Sequence, residues 1–87
     1  NVKIQESTSC AEILYRKGGA KKLPMRRVAQ APFFVLRGAG MPSVLVEMGF
    51  LTNKAEAAML KNANYQKRIA EALSAGIVEF LGQSQFN

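Results

Sequence analysis

Residues 41–53 read MPSVLVEMGFLTN, and within this apolar run a single carboxylate, Glu47, lies two residues before a glycine. Residues 43–50 are almost continuously apolar, which predicts a β-strand covered on both faces, as in a parallel sheet. A carboxylate in such surroundings is costly unless it is paired, bound to a metal or exposed at a strand end. Active sites of open α/β sheets lie at the carboxyl ends of strands. Glu47 is therefore either a general base at a strand end or a structural glutamate that is exposed or paired with Arg37.

The residues before this stretch predict a second strand and a basic loop. Residues 33–37, FFVLR, are aromatic, branched and apolar, which is typical of a strand. The GAG that follows, together with Pro42, marks a turn. Residues 20–31, AKKLPMRRVAQA, contain a proline and four basic side chains, so we expect a basic loop there.

The first part of the chain predicts an amphipathic helix over residues 5–17, QESTSCAEILYRK. Gly18 and Gly19 form a stop signal after it. Cys10 is the only cysteine, so the chain has no internal disulfide, and a buried, inert thiol is expected rather than a nucleophile. The chain also lacks histidine, which excludes a Ser-His or Cys-His pair within it.

Two helices are predicted after the central stretch. Asn53 and Glu56 have the spacing of an N-cap and its third helical residue, so a helix is expected from there to about Lys61. A longer helix is predicted over residues 64–81. Its apolar residues recur every three or four positions and are expected to form the core: Tyr65, Ile69, Leu73, Ile77 and Phe80.

The order of elements is therefore helix, strand, strand, helix, helix. Two strands with three helices predict an α/β fold, specifically part of an α/β/α sandwich with a mostly parallel sheet. Since two strands make a poor sheet alone, the chain is interpreted as part of a larger domain. It begins with Asn1 rather than methionine, which suggests a processed, cut or excised piece.

The composition indicates a folded, basic chain. Hydrophobic residues make up 48%, which excludes a disordered segment, and no apolar run approaches the length of a membrane span. Twelve Lys and Arg oppose six acidic residues, giving a net charge of +6. Such a surface favours polyanionic partners such as wall polymer, anionic lipid or nucleic acid, or it is simply a solvated basic face.

Residues 41–53 closely resemble the last motif of the zinc-dependent N-acetylmuramoyl-L-alanine amidases, the cell-wall hydrolases of the amidase-3 family. That motif has the form Pro-x-x-Leu-Val-Glu-x-Gly-Phe-x-Ser/Thr-Asn and carries an essential glutamate. The matching positions in this chain are Pro42, Leu45, Val46, Glu47, Gly49, Phe50, Thr52 and Asn53.

The flanking residues extend the resemblance over residues 26–81, and more weakly over the first helix. Residues 26–37, RRVAQAPFFVLR, are similar to the family's Arg-Gly-Val-x-Gln-Ala-x-Phe-x-Val-Leu-Arg stretch. Arg27 replaces the usual glycine, so that loop is expected to be altered. Residues 56–81 are similar to the family's closing helices, including their Tyr-Gln and Ile-Ala-x-Ala-x-x-x-Gly-Ile patterns.

The resemblance implies a zinc-dependent peptidoglycan hydrolase. The bond cut joins the lactyl group of N-acetylmuramic acid to L-alanine of the stem peptide. The resemblance implies that Glu47 is the catalytic residue, which takes a proton from the attacking water and passes it to the leaving amine, with a role beside the zinc as the fallback. Arg37 and Gln30 are candidates for substrate binding, although a strand-end arginine is also often a solvated charge.

In this family two histidines and a glutamate bind the zinc, and all three lie upstream of the matched part. This chain has no histidine and is not expected to contain a metal site. Residues 1–87 are therefore interpreted as the C-terminal portion of a single amidase catalytic domain, inactive alone. Its expected partners are peptidoglycan and the N-terminal half of the same domain. The expected location is the cell envelope, either the periplasm or the extracellular cell wall.

Two alternatives remain open from the sequence. The chain is a non-catalytic basic module that binds an anionic polymer such as cell wall or nucleic acid, although it shows no known nucleic-acid-binding pattern. Otherwise it belongs to an amidase-like protein that has lost its metal site. The upstream sequence distinguishes this last case, because the two histidines and the glutamate would be missing there as well.

Overall fold

Three α-helices form the regular structure of the chain in a computed structural model, which describes residues 2–29, 38 and 40–83. Helix α1 spans Val2–Ala20, α2 spans Lys54–Lys61 and α3 spans Ala63–Leu81. None of these three helices combines the length and the apolar character that crossing a membrane requires.

Helix α1 runs past the two glycines that were expected to stop it. It ends one residue after them, in a turn where Lys22 has a φ of 60°. The N–H of Lys22 donates to the carbonyl of Gly19 at 2.9 Å, and the N–H of Leu23 donates to the carbonyl of Gly18 at 3.0 Å. These two bonds form a Schellman motif in which a lysine takes the left-handed position that glycine usually occupies. The basic residues after it, up to position 29, have no regular structure, as predicted.

Helices α1 and α3 pack side by side and antiparallel. Ser9, in the middle of α1, donates to the side chain of Gln83, just after α3, whereas Lys21, just after α1, pairs with Glu71 within α3. The core between them contains Cys10, Ile13 and Phe80, with Leu14 and Val44 packed against it. Burial of these apolar groups is what holds the two helices together.

The apolar stripe of α3 forms only part of the predicted core. Tyr65 and Phe80 are buried, as expected, but Ile77 is 48% exposed. Ala72 and Gly76 are buried instead, because the small residues let α1 approach the backbone of α3 closely. The contact face is therefore rotated relative to the stripe of large apolar residues.

Helices α2 and α3 are separated by one residue. Asn62 ends α2 by donating its N–H to the carbonyl of Met59, and it begins α3 by accepting from the N–H of Tyr65 at 3.0 Å. At the other end of α2, the side chain of Asn53 accepts from the N–H of Glu56 at 3.1 Å. The predictions for both helices are confirmed, since asparagine is a preferred N-cap.

The predicted sheet is wrong for the part of the chain that the structure describes. Residues 43–50 have no strand structure, and the other predicted strand, residues 33–37, lies outside the described residues. Residues 2–29, 38 and 40–83 are therefore all-helical rather than part of an α/β/α sandwich. An apolar run becomes a strand only when a neighbouring strand takes up its backbone hydrogen bonds, and the helices here offer none.

Candidate functional site

Glu47 lies in the irregular segment of residues 42–50, which precedes α2. Its side chain is exposed. The apolar neighbours on either side are also partly exposed, with Val46 at 41% and Met48 at 55%. Its apolar neighbours in the sequence therefore do not enclose the carboxylate. The carboxylate is instead presented to solvent, where it can meet a substrate and exchange protons with water.

The segment around Glu47 lies along a small groove between the helices. Val46, Glu47 and Met48 line this groove together with residues of the two long helices: Leu14, Ile69 and Leu73. Its volume is about 80 Å³, far below the roughly 300 Å³ or more of a typical ligand pocket. The groove therefore seats residues 46–48 against α1 and α3 and does not enclose a substrate.

A larger depression lies between α2 and α3, and Tyr65 lines it as well as the groove. Its volume is about 360 Å³, and Met59, Asn62 and Arg68 are among the residues that line it. Glu47 is not among them. This depression is an open surface feature of the junction between α2 and α3, and it is separate from the candidate site at Glu47.

Gly49 makes the turn after Glu47 possible. Its φ is +149°, a backbone conformation that residues with a side chain rarely adopt. A Cβ atom built there would lie 3.4 Å from Leu60 Cδ1 and 3.5 Å from Glu56 Cβ. The glycine two residues after Glu47 therefore allows the chain to turn closely against α2.

Glu56 ties this turn to the first turn of α2. Its Oε2 accepts from the backbone N–H of Phe50 at 3.0 Å, while its Oε1 accepts from Arg26 at 2.6 Å. In a capping box the glutamate would bond the N–H of Asn53, but that N–H donates to the carbonyl of Phe50 at 3.0 Å. The Asn53–Glu56 spacing predicted the cap correctly and missed the second use of the glutamate.

Arg26 reaches the same turn from the loop after α1. Besides its ion pair with Glu56, its guanidinium lies 5.6 Å from the centre of the Phe50 ring, a cation–π contact. Thirty positions separate Arg26 from Glu56 in the sequence. No local spacing signals such a contact, although Arg26 is one of the positions matched in the family resemblance.

Two further residues predicted for the site, and the predicted lack of a metal site, complete the comparison with the sequence. Arg37 and Gln30 lie outside the described residues. Among residues 2–29, 38 and 40–83, no group of three or more acidic, histidine or cysteine side chains is placed to hold a metal ion. Since the chain contains no histidine, the described side chains do not fit the zinc site that the family resemblance implies.

Cys10 takes no part in the candidate site. It is 7% exposed, and burial raises the pKa of its thiol above the ordinary value. Because the thiolate is the reactive form, both effects make the sulfur a poor nucleophile. The prediction of a buried thiol is confirmed.

Comparison with known sequences identifies the protein family to which the chain is related. The sequence profile of the amidase-3 family, described as N-acetylmuramoyl-L-alanine amidase, matches residues 1–79. The chain is 42% identical over 65 residues to the N-acetylmuramoyl-L-alanine amidase AmiC of Escherichia coli O6:H1 strain CFT073, covering 75% of this chain and 16% of that protein.

Two further relatives bear the same name. The N-acetylmuramoyl-L-alanine amidase AmiA of Escherichia coli strain K12 is 37% identical over 70 residues, covering 80% of this chain and 24% of its own length. The N-acetylmuramoyl-L-alanine amidase LytC of Bacillus subtilis strain 168 is 44% identical over 55 residues, covering 63% of this chain and 11% of its own. The chain thus spans less than a quarter of these relatives. No solved structure gives a significant match.

Proposed function

The chain belongs to the amidase-3 family of N-acetylmuramoyl-L-alanine amidases, and from this membership we propose that it supplies the catalytic glutamate of a peptidoglycan amidase. In this proposal Glu47 acts on the amide bond between N-acetylmuramic acid and L-alanine of the stem peptide. The observation that carries the proposal is the position of Glu47: exposed, and followed by a turn tied to α2. The protein then acts in the cell envelope, where its substrate lies.

The chemistry assigned to Glu47 is general acid/base catalysis. An amide is cleaved by water only when a base removes a proton from the attacking water and an acid protonates the departing amine. One carboxylate can do both in succession. An exposed carboxylate on a constrained turn meets the geometric need, since it is accessible to water and substrate together.

The metal belongs to another part of the enzyme in this proposal. The described side chains do not fit a zinc ion, so we propose that its ligands are supplied by residues outside this chain. The 87-residue chain alone is then expected to have no amidase activity. A histidine-free preparation of the chain that released peptide from purified peptidoglycan would contradict this expectation.

The rest of the catalytic domain is the proposed partner of the segment around Glu47. Five large apolar side chains of this segment are 41–80% exposed: Leu45, Val46, Met48, Phe50 and Leu51. Contiguous exposed apolar surface of this kind usually marks an interaction site.

Native mass spectrometry of the chain co-expressed with the preceding half of the domain is expected to detect a one-to-one complex. Replacing Leu51 by Asp is expected to weaken it, and replacing the exposed Ser74 by Asp is the control.

The alternative of a basic binding module has less support from the structure. Of the four basic residues in the loop after α1, Lys21 is paired with Glu71 and Arg26 with Glu56. Both of these cations are therefore already paired with carboxylates of the chain. A surface that binds a polyanion instead uses its cations to pair with the charges of the ligand. The positive charge of the chain still suits an anionic wall polymer as a substrate.

The decisive test of the proposed function is Glu47→Gln in the complete amidase, assayed on a soluble muramoyl peptide. Because glutamine has nearly the same shape but cannot carry the proton, turnover is expected to fall to background while the zinc content stays the same. Glu71→Gln, which also removes an exposed carboxylate, is the matched control and is expected to keep normal turnover. Normal turnover in Glu47→Gln would return Glu47 to a structural role.

A further inference from the structure

The turn that follows Glu47 is held by side chains from two distant parts of the chain. Only Met48 and Gly49 separate Glu47 from Phe50, and none of these residues is in a helix or a strand. Irregular backbone of this kind has no hydrogen-bond ladder to fix it, so its position depends on side-chain contacts. Any group that fixes Phe50 therefore also limits where the Glu47 carboxylate can lie.

Both the backbone and the ring of Phe50 are held. The N–H of Phe50 donates to Glu56 Oε2 at 3.0 Å, and the ring lies under the guanidinium of Arg26 at 5.6 Å. The two holding groups also bind each other, Arg26 to Glu56 Oε1 at 2.6 Å. The Glu56 side chain is only 23% exposed, so its hydrogen bonds are partly shielded from water.

The two residues that flank Glu47 in the sequence are held as well. Val46 and Met48 line the groove formed with α1 and α3. Glu47 thus lies between two contacts, an apolar one made by its neighbours and a polar one made through Phe50. Catalysis by a carboxylate depends on such restraint, because a displacement of about 1 Å can slow a reaction about a hundredfold.

We propose that Glu56 and Arg26 are positioning residues for Glu47, which act by holding Phe50 and hence the turn after the catalytic carboxylate. This inference rests on the proposed function of Glu47. It assigns to Glu56, in the first turn of α2, and to Arg26, in the basic loop, a role in the reaction that neither helix capping nor loop charge requires.

The test measures kcat and KM separately for variants of the complete amidase on a soluble muramoyl peptide. Glu56→Ala is expected to lower kcat about tenfold to a hundredfold, with KM changed less than about twofold. Glu56→Gln keeps an oxygen that can accept from Phe50 and is expected to lie between wild type and Glu56→Ala. Glu71→Ala, which removes a carboxylate of α3 that pairs with Lys21, is the matched control with unchanged kcat.

Arg26 provides the second, independent variant. It lies in a loop, so Arg26→Ala leaves the cap of α2 intact and decides the proposal if Glu56→Ala fails to fold. Its kcat is expected to fall, with Arg26→Lys recovering part of the loss. Because both residues act on one turn, the double variant is expected to be no slower than Glu56→Ala alone.

Three results would overturn the inference: an unchanged kcat in Arg26→Ala and Glu56→Gln, a rise in KM with kcat retained, or losses that multiply in the double variant. Glu47→Gln assayed alongside separates this failure from that of the proposed function. An inactive Glu47→Gln with fully active Arg26 and Glu56 variants rejects only the positioning role. An active Glu47→Gln rejects the function of Glu47 itself.

Discussion

Oε2 of Glu56 accepts a hydrogen bond from the backbone N–H of Phe50 at 3.0 Å, so the first turn of α2 is joined to the turn that follows Glu47. The carboxylate thus accepts from a residue that precedes the N-cap, Asn53, and not from the N-cap itself as in a capping box. One glutamate therefore does two things: it stabilises the start of a helix, where negative charge is favoured, and it orders the irregular segment before it.

Gly49→Ala is expected to destabilise this turn. The φ of +149° is strained for alanine, and the added Cβ would meet Leu60 and Glu56 at 3.4 and 3.5 Å. We expect a loss of about 1–3 kcal/mol in the free energy of unfolding, measured by urea denaturation. The control is Gly40→Ala, because Gly40 has open space around it and no positive φ. Equal stability of the two variants would contradict the strain argument.

Gly76→Ala is expected to separate α1 from α3. A Cβ there would overlap Leu14 Cδ2 and lie 3.3 Å from Leu14 Cγ. Overpacking costs about 1–3 kcal/mol, which outweighs a gain in helix propensity of up to about 1 kcal/mol. The melting temperature should therefore fall.

The matched control for that substitution is Gly19→Ala, in the last turn of α1. No atom lies within 4 Å of a Cβ at Gly19, so only the propensity gain applies and stability should rise by about 0.5–1 kcal/mol. If both alanine variants were stabilised alike, the close approach of the helices at Gly76 would be wrong.

The ion pairs at Glu79 should make the packing of α1 on α3 depend on pH. Hydrogen bonds from Arg16 and Lys17 lower the pKa of Glu79 below its usual value of 4.5. The folded state then binds this proton less readily than the unfolded state. The stabilisation is therefore fully present above pH 4.5 and is lost as the pH falls through the lowered pKa.

Glu79→Gln tests this linkage by thermal unfolding between pH 7 and pH 2.5. The variant is expected to be less stable than wild type at pH 7 and to approach it at the acid end. Since the pair is exposed, the difference should be small and should shrink in high salt. Glu12→Gln, which removes an exposed carboxylate of α1, serves as the control. A difference that stayed constant with pH would exclude an ionic origin.

Cys10 should resist alkylation in the folded chain. Its thiol is buried in the core, and burial raises its pKa, so little thiolate is available at neutral pH. Iodoacetamide is expected to add no mass to the folded chain at pH 7.5 and one adduct after denaturation in urea. A Cys10→Ala, Ser74→Cys variant, whose thiol is at an exposed position of α3, should react without denaturant. Rapid labelling of Cys10 in the native chain would show that the core around it opens.

The features predicted correctly from the sequence depend on residues close together in the chain. The predicted cap at Asn53 begins α2, and a cap acts within three residues of its own position. The cap of α3 at Asn62 was not predicted, although the helix itself was. The motif around Glu47 predicted the family, which the comparisons confirm. The end of α1 was missed by three residues, because Lys22 rather than a glycine takes the left-handed turn.

The sequence by itself determined the three helices, the buried thiol and the family, because caps, apolar periodicity and a contiguous motif are local properties. Only the tertiary structure decided that residues 43–50 are not a strand among the described residues and that Glu47 is exposed. It also decided that Arg26 and Glu56 meet at Phe50. The reason is physical: a strand needs a neighbouring strand, and an ion pair between residues thirty positions apart needs the chain to fold back.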